Sequence, residues 1–172
     1  MFEAEAPTGP SGRVLDPIER VSEMIFGVLM AMTFIGALNV ATGGREEVRT
    51  AMIAALGCNI AWGLVDAVMY VVATLTERTR DRITPRLTGR DLRGALGVFL
   101  LVAASTFPLV VPFLVFGSLA PALLGSRLVA LALLFLGGWL LARYSGGNRW
   151  MAGFGLATVG AVLLAAIMAL GG

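Results

Sequence analysis

One carboxylate lies near the middle of a long apolar segment of this 172-residue chain. The segment runs from Ala55 to Val71, and its acid is Asp66. An ionised aspartate at the depth of a lipid bilayer costs about 3 kcal/mol or more, so such groups normally face a bundle interior, a partner or a watery cavity. Asp66 is therefore the first candidate for a functional residue. The alternative is that it only bonds to Asn59 or to a neighbouring helix and holds the bundle together.

Helical spacing places other potential ligands near this acid. Asn59 and Met69 share its helix face, and a second carboxylate, Glu23, stands where the first apolar run begins, with Met30 two turns later. Such oxygens and thioethers can coordinate a cation, and the carboxylates can also relay a proton. The alternative interpretation of each methionine is a side chain that fills the core. The alternative for Glu23 is a solvated residue at the end of a helix. The candidate metal ligands are Asp66, Met69, Asn59, Met30 and Glu23.

The composition is that of an integral membrane protein. Hydrophobic residues make up 58% of the chain and charged residues 14%, with a mean hydropathy of +0.86. The sequence has no histidine and no lysine, which removes the commonest transition-metal ligand and the usual partners of a nucleophilic serine. Phosphate-loop, dinucleotide and zinc-protease motifs are absent from it. We therefore expect neither an enzyme nor a tightly bound cofactor.

The apolar runs predict an all-α integral membrane protein with five transmembrane helices. A disordered cytoplasmic tail, 1–15, precedes a single domain, 16–172, whose first helix starts at Pro17 because Asp16 caps it. Two prolines, Pro108 and Pro112, free backbone carbonyls and predict a break in the third span. The predicted spans are 21–41, 50–75, 95–116, 127–142 and 150–170.

Arginines predict the orientation of these spans. The basic connection 77–94 holds six of them, and ten of the thirteen fall on the side of the amino terminus. This bias predicts a cytoplasmic amino terminus and an external carboxyl terminus. The same connection is expected to touch anionic lipid rather than nucleic acid. In the last span, small residues recur at every fourth position and predict a packing seam, within the subunit or across a dimer: Gly153, Ala157, Ala161, Ala165 and Ala169.

The order of spans, with TFPLVVPF at 106–113, LALLFLGGWLLARYSGGNRW at 131–150 and a final AAIMALGG, resembles the vacuolar iron transporter family. The resemblance covers roughly residues 17–172 and is one of pattern. It implies a homodimer that exchanges ferrous iron or manganese for protons along a path lined by the first two helices. The family's first-span aspartate corresponds to Met30 here, and the arginine-rich connection stands where the family often has a glutamate-rich module. The chain is thus expected to be a diverged relative, in a bacterial inner membrane.

Three functions stay open at this point. The first is a proton-coupled carrier of Fe²⁺ or Mn²⁺. The second is a membrane scaffold or interaction protein of the same fold that does not transport, and the third is a transporter of another small cation. In each case the lipid bilayer and a second copy of the chain are the expected partners.

Overall fold

The computed structural model describes residues 15–37, 45–81 and 84–171. Within these ranges every element is helical: α1 (Pro17–Ala37), α2 (Arg45–Arg80), α3 (Gly89–Ser105), α4 (Phe107–Val115), α5 (Leu119–Ser145) and α6 (Arg149–Gly171). Five stretches, with α3 and α4 counted as one, are long and apolar enough to cross a membrane. They are consistent with a multi-pass membrane protein. The predicted tail lies outside the described residues, except for Leu15, which is buried.

The start of α1 follows from its first residues. The Ile18 N–H donates to Asp16 Oδ1 at 2.8 Å, and the Asp16 N–H donates to Glu19 Oε2 at 3.0 Å. This reciprocal pair satisfies N–H groups that have no partner inside the helix. Helix α1 therefore begins at Pro17, as the sequence predicts.

The segment 77–94, predicted as a loop, is partly helical because α2 and α3 both extend into it. Thr88 caps α3: its hydroxyl accepts the Asp91 N–H at 3.4 Å, and Asp91 Oδ2 accepts the Thr88 N–H at 2.7 Å. Near the end of α2, Arg78 donates to Asp91 Oδ1 at 2.7 Å and to the Arg86 carbonyl. These contacts tie the ends of the two helices together.

The connection between the third and fourth predicted spans, 117–126, is also mostly helical, since α5 begins at Leu119. Its Pro121 lies in the first turn, where a missing N–H costs no hydrogen bond. Farther along, the Ser126 hydroxyl donates to the Leu109 carbonyl of α4 at 2.7 Å. Helix α5 is therefore longer than its predicted span of 127–142.

The core lies between α1 and α5, with α4 and α6 packed against α5. Leu164 adds a buried residue from α6, and the most deeply buried residues of the core come from α1, α4 and α5: Ala31, Met32, Leu109, Leu123, Ala130 and Leu134. Helix α2 packs against α3 and along the remaining side of α1. Helix α1 thus has one face in the core and another toward α2, and the candidate ligands Glu23 and Asp66 lie along this second contact.

The stripe of small residues on α6 is buried at its amino-terminal end and exposed toward its carboxyl-terminal end. Gly153 is buried, and a Cβ there would lie 2.8 Å from the ring of Phe135 on α5. Ala161, Ala165 and Ala169 are exposed within this subunit. The stripe is a packing seam inside the subunit only at its amino-terminal end.

Candidate functional site

Helices α1 and α2 are antiparallel, and two contacts and one pair of carboxylates mark their register. In order along α1 these are the carboxylates of Glu23 and Asp66, the edge-to-face contact of Phe26 with Trp62, and the hydrogen bond from Asn59 to the Gly27 carbonyl. The order on α2 is reversed, as an antiparallel pair requires. Polar groups from two different helices therefore lie along one interface.

The first pair consists of two carboxylates, both half-buried. Glu23 lies three residues before Phe26 and Asp66 four residues after Trp62, so the register places both acids about one turn beyond the aromatic contact. Two ionised carboxylates at one level repel each other. Asp66 Oδ2 is buried and has no hydrogen-bond partner among the described residues. Each charge at this depth is unfavourable alone, and repulsion adds to the cost. A cation or a shared proton between the two acids removes that repulsion.

The second pair is aromatic. The ring centroids of Phe26 and Trp62 are 6.2 Å apart at an interplanar angle of 73°, which is a favourable edge-to-face geometry. Phe26 lies three residues after Glu23 on α1, and Trp62 lies four residues before Asp66 on α2. The aromatic contact therefore lies between the level of the two acids and the level of Asn59.

The third pair involves a buried amide. Asn59 is 1% exposed, and its Nδ2 donates to the Gly27 carbonyl at 3.1 Å and to the Thr106 hydroxyl oxygen. Its Oδ1 is buried with no partner in the described ranges. Leaving a buried acceptor unpaired costs about 1–3 kcal/mol, so such an atom calls for a physical explanation.

A glycine allows this junction to form. A Cβ at residue 27 would overlap the Ser105 hydroxyl oxygen and lie 2.9 Å from the Val102 carbonyl oxygen. Only the absence of a side chain lets α1 approach α3 so closely. Because the Gly27 carbonyl accepts from Asn59, this close approach also positions the amide.

The five predicted ligands do not all converge. The register places Glu23 and Asp66 at one level, and Asn59 lies farther along the same interface. Met30 is half-buried on α1, two turns beyond Glu23. Met69 is 56% exposed within the subunit.

One residue of the junction is absent from the predicted set. Thr106, between α3 and α4, is 1% exposed and accepts the Asn59 amide. In the sequence, only the prolines mark this region. Asn59 and Thr106 are 47 residues apart in the chain, and their contact follows from the packing of α2 against α3. A hydroxyl beside a proline-containing turn inside an apolar span is the signal that could have found it.

Comparisons with protein-family models, with curated proteins and with solved structures find no match to this chain. The function therefore has to be inferred from the arrangement of its own residues.

Proposed function

We propose that this protein is a membrane transporter of divalent transition-metal ions, Fe²⁺ or Mn²⁺, coupled to protons. The observation that carries the proposal is that the register of α1 on α2 places two carboxylates, Glu23 and Asp66, at one level inside candidate membrane spans. The unpartnered Oδ2 of Asp66 is available to a ligand.

The chemistry of two facing acids supports both the cation and the coupling. A divalent ion neutralises both carboxylates, and two protons do the same, so the two occupancies compete. Carboxylate oxygens suit Mn²⁺, and Fe²⁺ accepts the same ligands. Exchange of metal for protons then needs no further titratable group. The thioether of Met30, farther along the same face of α1, would be a soft ligand on the path beyond the acids.

The resemblance of the sequence to the vacuolar iron transporters supports the same cargo and suggests a homodimer. Helix α2 carries many exposed apolar side chains, and only 17% of its candidate span is buried within one chain. We place this face against a second copy or against lipid. By the arginine bias, the amino terminus lies in the cytoplasm and the carboxyl terminus outside, in a bacterial inner membrane.

A second candidate function follows from the ligand types. The described polar groups along the interface all offer oxygen, whereas the thioether of Met69 is mostly exposed. These groups are Glu23, Asp66, Asn59 and Thr106. An oxygen set also suits Mg²⁺ or a proton alone. Transport of another small cation is therefore the alternative, and a scaffold that does not transport is the remaining one.

Uptake into proteoliposomes tests the proposal. Wild-type protein is compared with Asp66→Asn and Glu23→Gln for uptake of Mn²⁺, ascorbate-reduced Fe²⁺ and Mg²⁺, with and without a pH gradient. We expect each substitution to lower the initial rate of Mn²⁺ and Fe²⁺ uptake about tenfold or more, because one of two charges is lost. Uptake should also depend on the gradient.

Glu77→Gln is the matched control, because Glu77 is exposed near the end of α2 and should leave uptake unchanged. Uptake of Mg²⁺ at the same rate as Mn²⁺ would favour the second candidate. Folded wild-type protein that transports none of the three ions above empty liposomes would overturn the proposal and leave the scaffold.

A further inference from the structure

The unpartnered oxygen of Asn59 lies beyond the carboxylate pair on the same interface. Along α1, Gly27 follows Glu23 by four residues, about 6 Å, and along α2 Asn59 precedes Asp66 by seven residues, about 10 Å. The Phe26–Trp62 contact lies between the two levels. The Asn59 amide therefore lies within about two turns of the acids on the same interface.

The Asn59 amide lies close to two other oxygens. The Gly27 carbonyl and the Thr106 hydroxyl oxygen both accept hydrogen bonds from its Nδ2, and its own unpartnered Oδ1 is at the other end of the same amide group. Two acceptors converging on one donor are a site of negative potential, and a metal ion can replace the N–H as the positive partner. The terminal torsion of asparagine is broad and close to two-fold, so the amide can turn its oxygen toward the other two.

We propose that Asn59, Thr106 and the Gly27 carbonyl form an inner, oxygen-only station that the cation occupies after it leaves Glu23 and Asp66. This inference rests on the proposed function and adds to it a second site whose ligands are neutral. Neutral oxygens hold a divalent ion more weakly than carboxylates, which suits release toward the far side. The aromatic pair of Phe26 and Trp62 separates the two stations.

The local backbone at Thr106 fits such a role. Its N–H donates to the Ala103 and Ala104 carbonyls, and its carbonyl accepts the Leu109 N–H at 3.1 Å, three residues later. Pro108 has no N–H to donate to the preceding turn. Interrupted helices with irregular hydrogen bonds are where transporters bring backbone and side-chain oxygens to an ion.

The Asn59→Asp variant distinguishes two roles of Asn59, that of a metal ligand and that of a side chain that only holds the helices together. Aspartate has nearly the same shape but lacks the N–H groups, so its charge faces the Gly27 carbonyl and the Thr106 hydroxyl oxygen. We expect this variant to be less stable than wild type without metal and to gain more thermal stability than wild type from Mn²⁺ alone. Equilibrium dialysis with Mn²⁺ should show a second ion per chain in both proteins, bound weakly by wild type and more tightly by Asn59→Asp.

If Asn59 only holds the helices together, Asn59→Asp loses stability, Mn²⁺ restores none of it, and neither protein binds a second ion. That result would overturn the inner station. Mg²⁺ serves as the second probe in the dialysis, since an oxygen-only site should take it as well.

Thr106→Val is the second variant, because it removes the hydroxyl and keeps the shape. We expect the kcat of Mn²⁺ uptake to fall about fivefold or more with KM within about twofold, since the first site is intact. Thr158→Val is the control: Thr158 is exposed on α6, and its hydroxyl donates to the Phe154 carbonyl of its own helix. Unchanged kcat in Thr106→Val, with active wild type, would refute the inner station alone. Wild type without Mn²⁺ uptake or binding would refute both proposals.

Discussion

Gly27→Ala is the sharpest test of how the bundle positions the site. The added methyl group would overlap the Ser105 hydroxyl oxygen, and it would also lie 2.9 Å from the Val102 carbonyl oxygen and 3.1 Å from Ser105 Cβ. A hydroxyl can rotate away, but the carbonyl is backbone, so α1 must move from α3. Overpacking of this kind costs about 1–3 kcal/mol.

Gly57→Ala provides the matched control. Gly57 is exposed on α2, and a Cβ there meets nothing within 4 Å. Both substitutions gain up to about 1 kcal/mol of helix propensity, so the difference between the two variants isolates the overpacking cost of about 1–3 kcal/mol. A difference of this size corresponds to a factor of about 5 to 150 in the unfolding equilibrium.

Unfolding by SDS in mixed micelles, followed by circular dichroism, measures both free energies. Adding Ser105→Ala to Gly27→Ala should recover only part of the loss, because the Val102 carbonyl remains. A Gly27→Ala protein as stable as Gly57→Ala would refute the close packing of α1 on α3. Full recovery by Ser105→Ala would show that the hydroxyl alone, and not the backbone, limits the approach.

Two further predictions concern the helix ends. Arg78→Ala should destabilise the protein by about 3 kcal/mol because it leaves the buried Asp91 without its cation. Arg80→Ala is the control: its side chain is 80% exposed, so its loss should change stability by less than about 0.5 kcal/mol. Equal effects of the two substitutions in SDS unfolding would contradict the buried ion pair. Asn148→Ala should lower the stability by about 1 kcal/mol in the same assay, because Asn148 Oδ1 accepts the Trp150 and Met151 N–H groups at 3.1 and 3.2 Å. An unchanged stability would show that water replaces this helix cap.

The helical fold was accessible from sequence because its signals are local. Apolar runs of membrane length gave the five candidate spans, and Asp16, Pro17 and Glu19 gave the start of α1. The ends of helices that continue past the apolar runs were harder. Thr88 and Asp91 begin α3 inside a segment whose arginines suggested a loop.

The candidate site was only partly accessible, because facing residues depend on the register of two helices. The sequence showed that Glu23 and Asp66 lie in apolar surroundings, but their pairing follows from the packing of α1 on α2. Helical spacing placed Met69 beside Asp66, yet 56% of Met69 is exposed within this subunit. The partnership of Asn59 with Thr106 needed the third helix as well.

The register of α1 and α2 links the packing at Gly27 to the chemistry at the acids. Asn59 fastens α2 to the Gly27 carbonyl and to Thr106, and the missing side chain of Gly27 brings α1 against Ser105. A slip of one turn, about 5.4 Å, would move Asp66 away from Glu23. The proposed divalent site would then lose one of its two carboxylates. The polar junction therefore stabilises the register in which Glu23 and Asp66 lie at one level, although two ionised carboxylates there would repel each other.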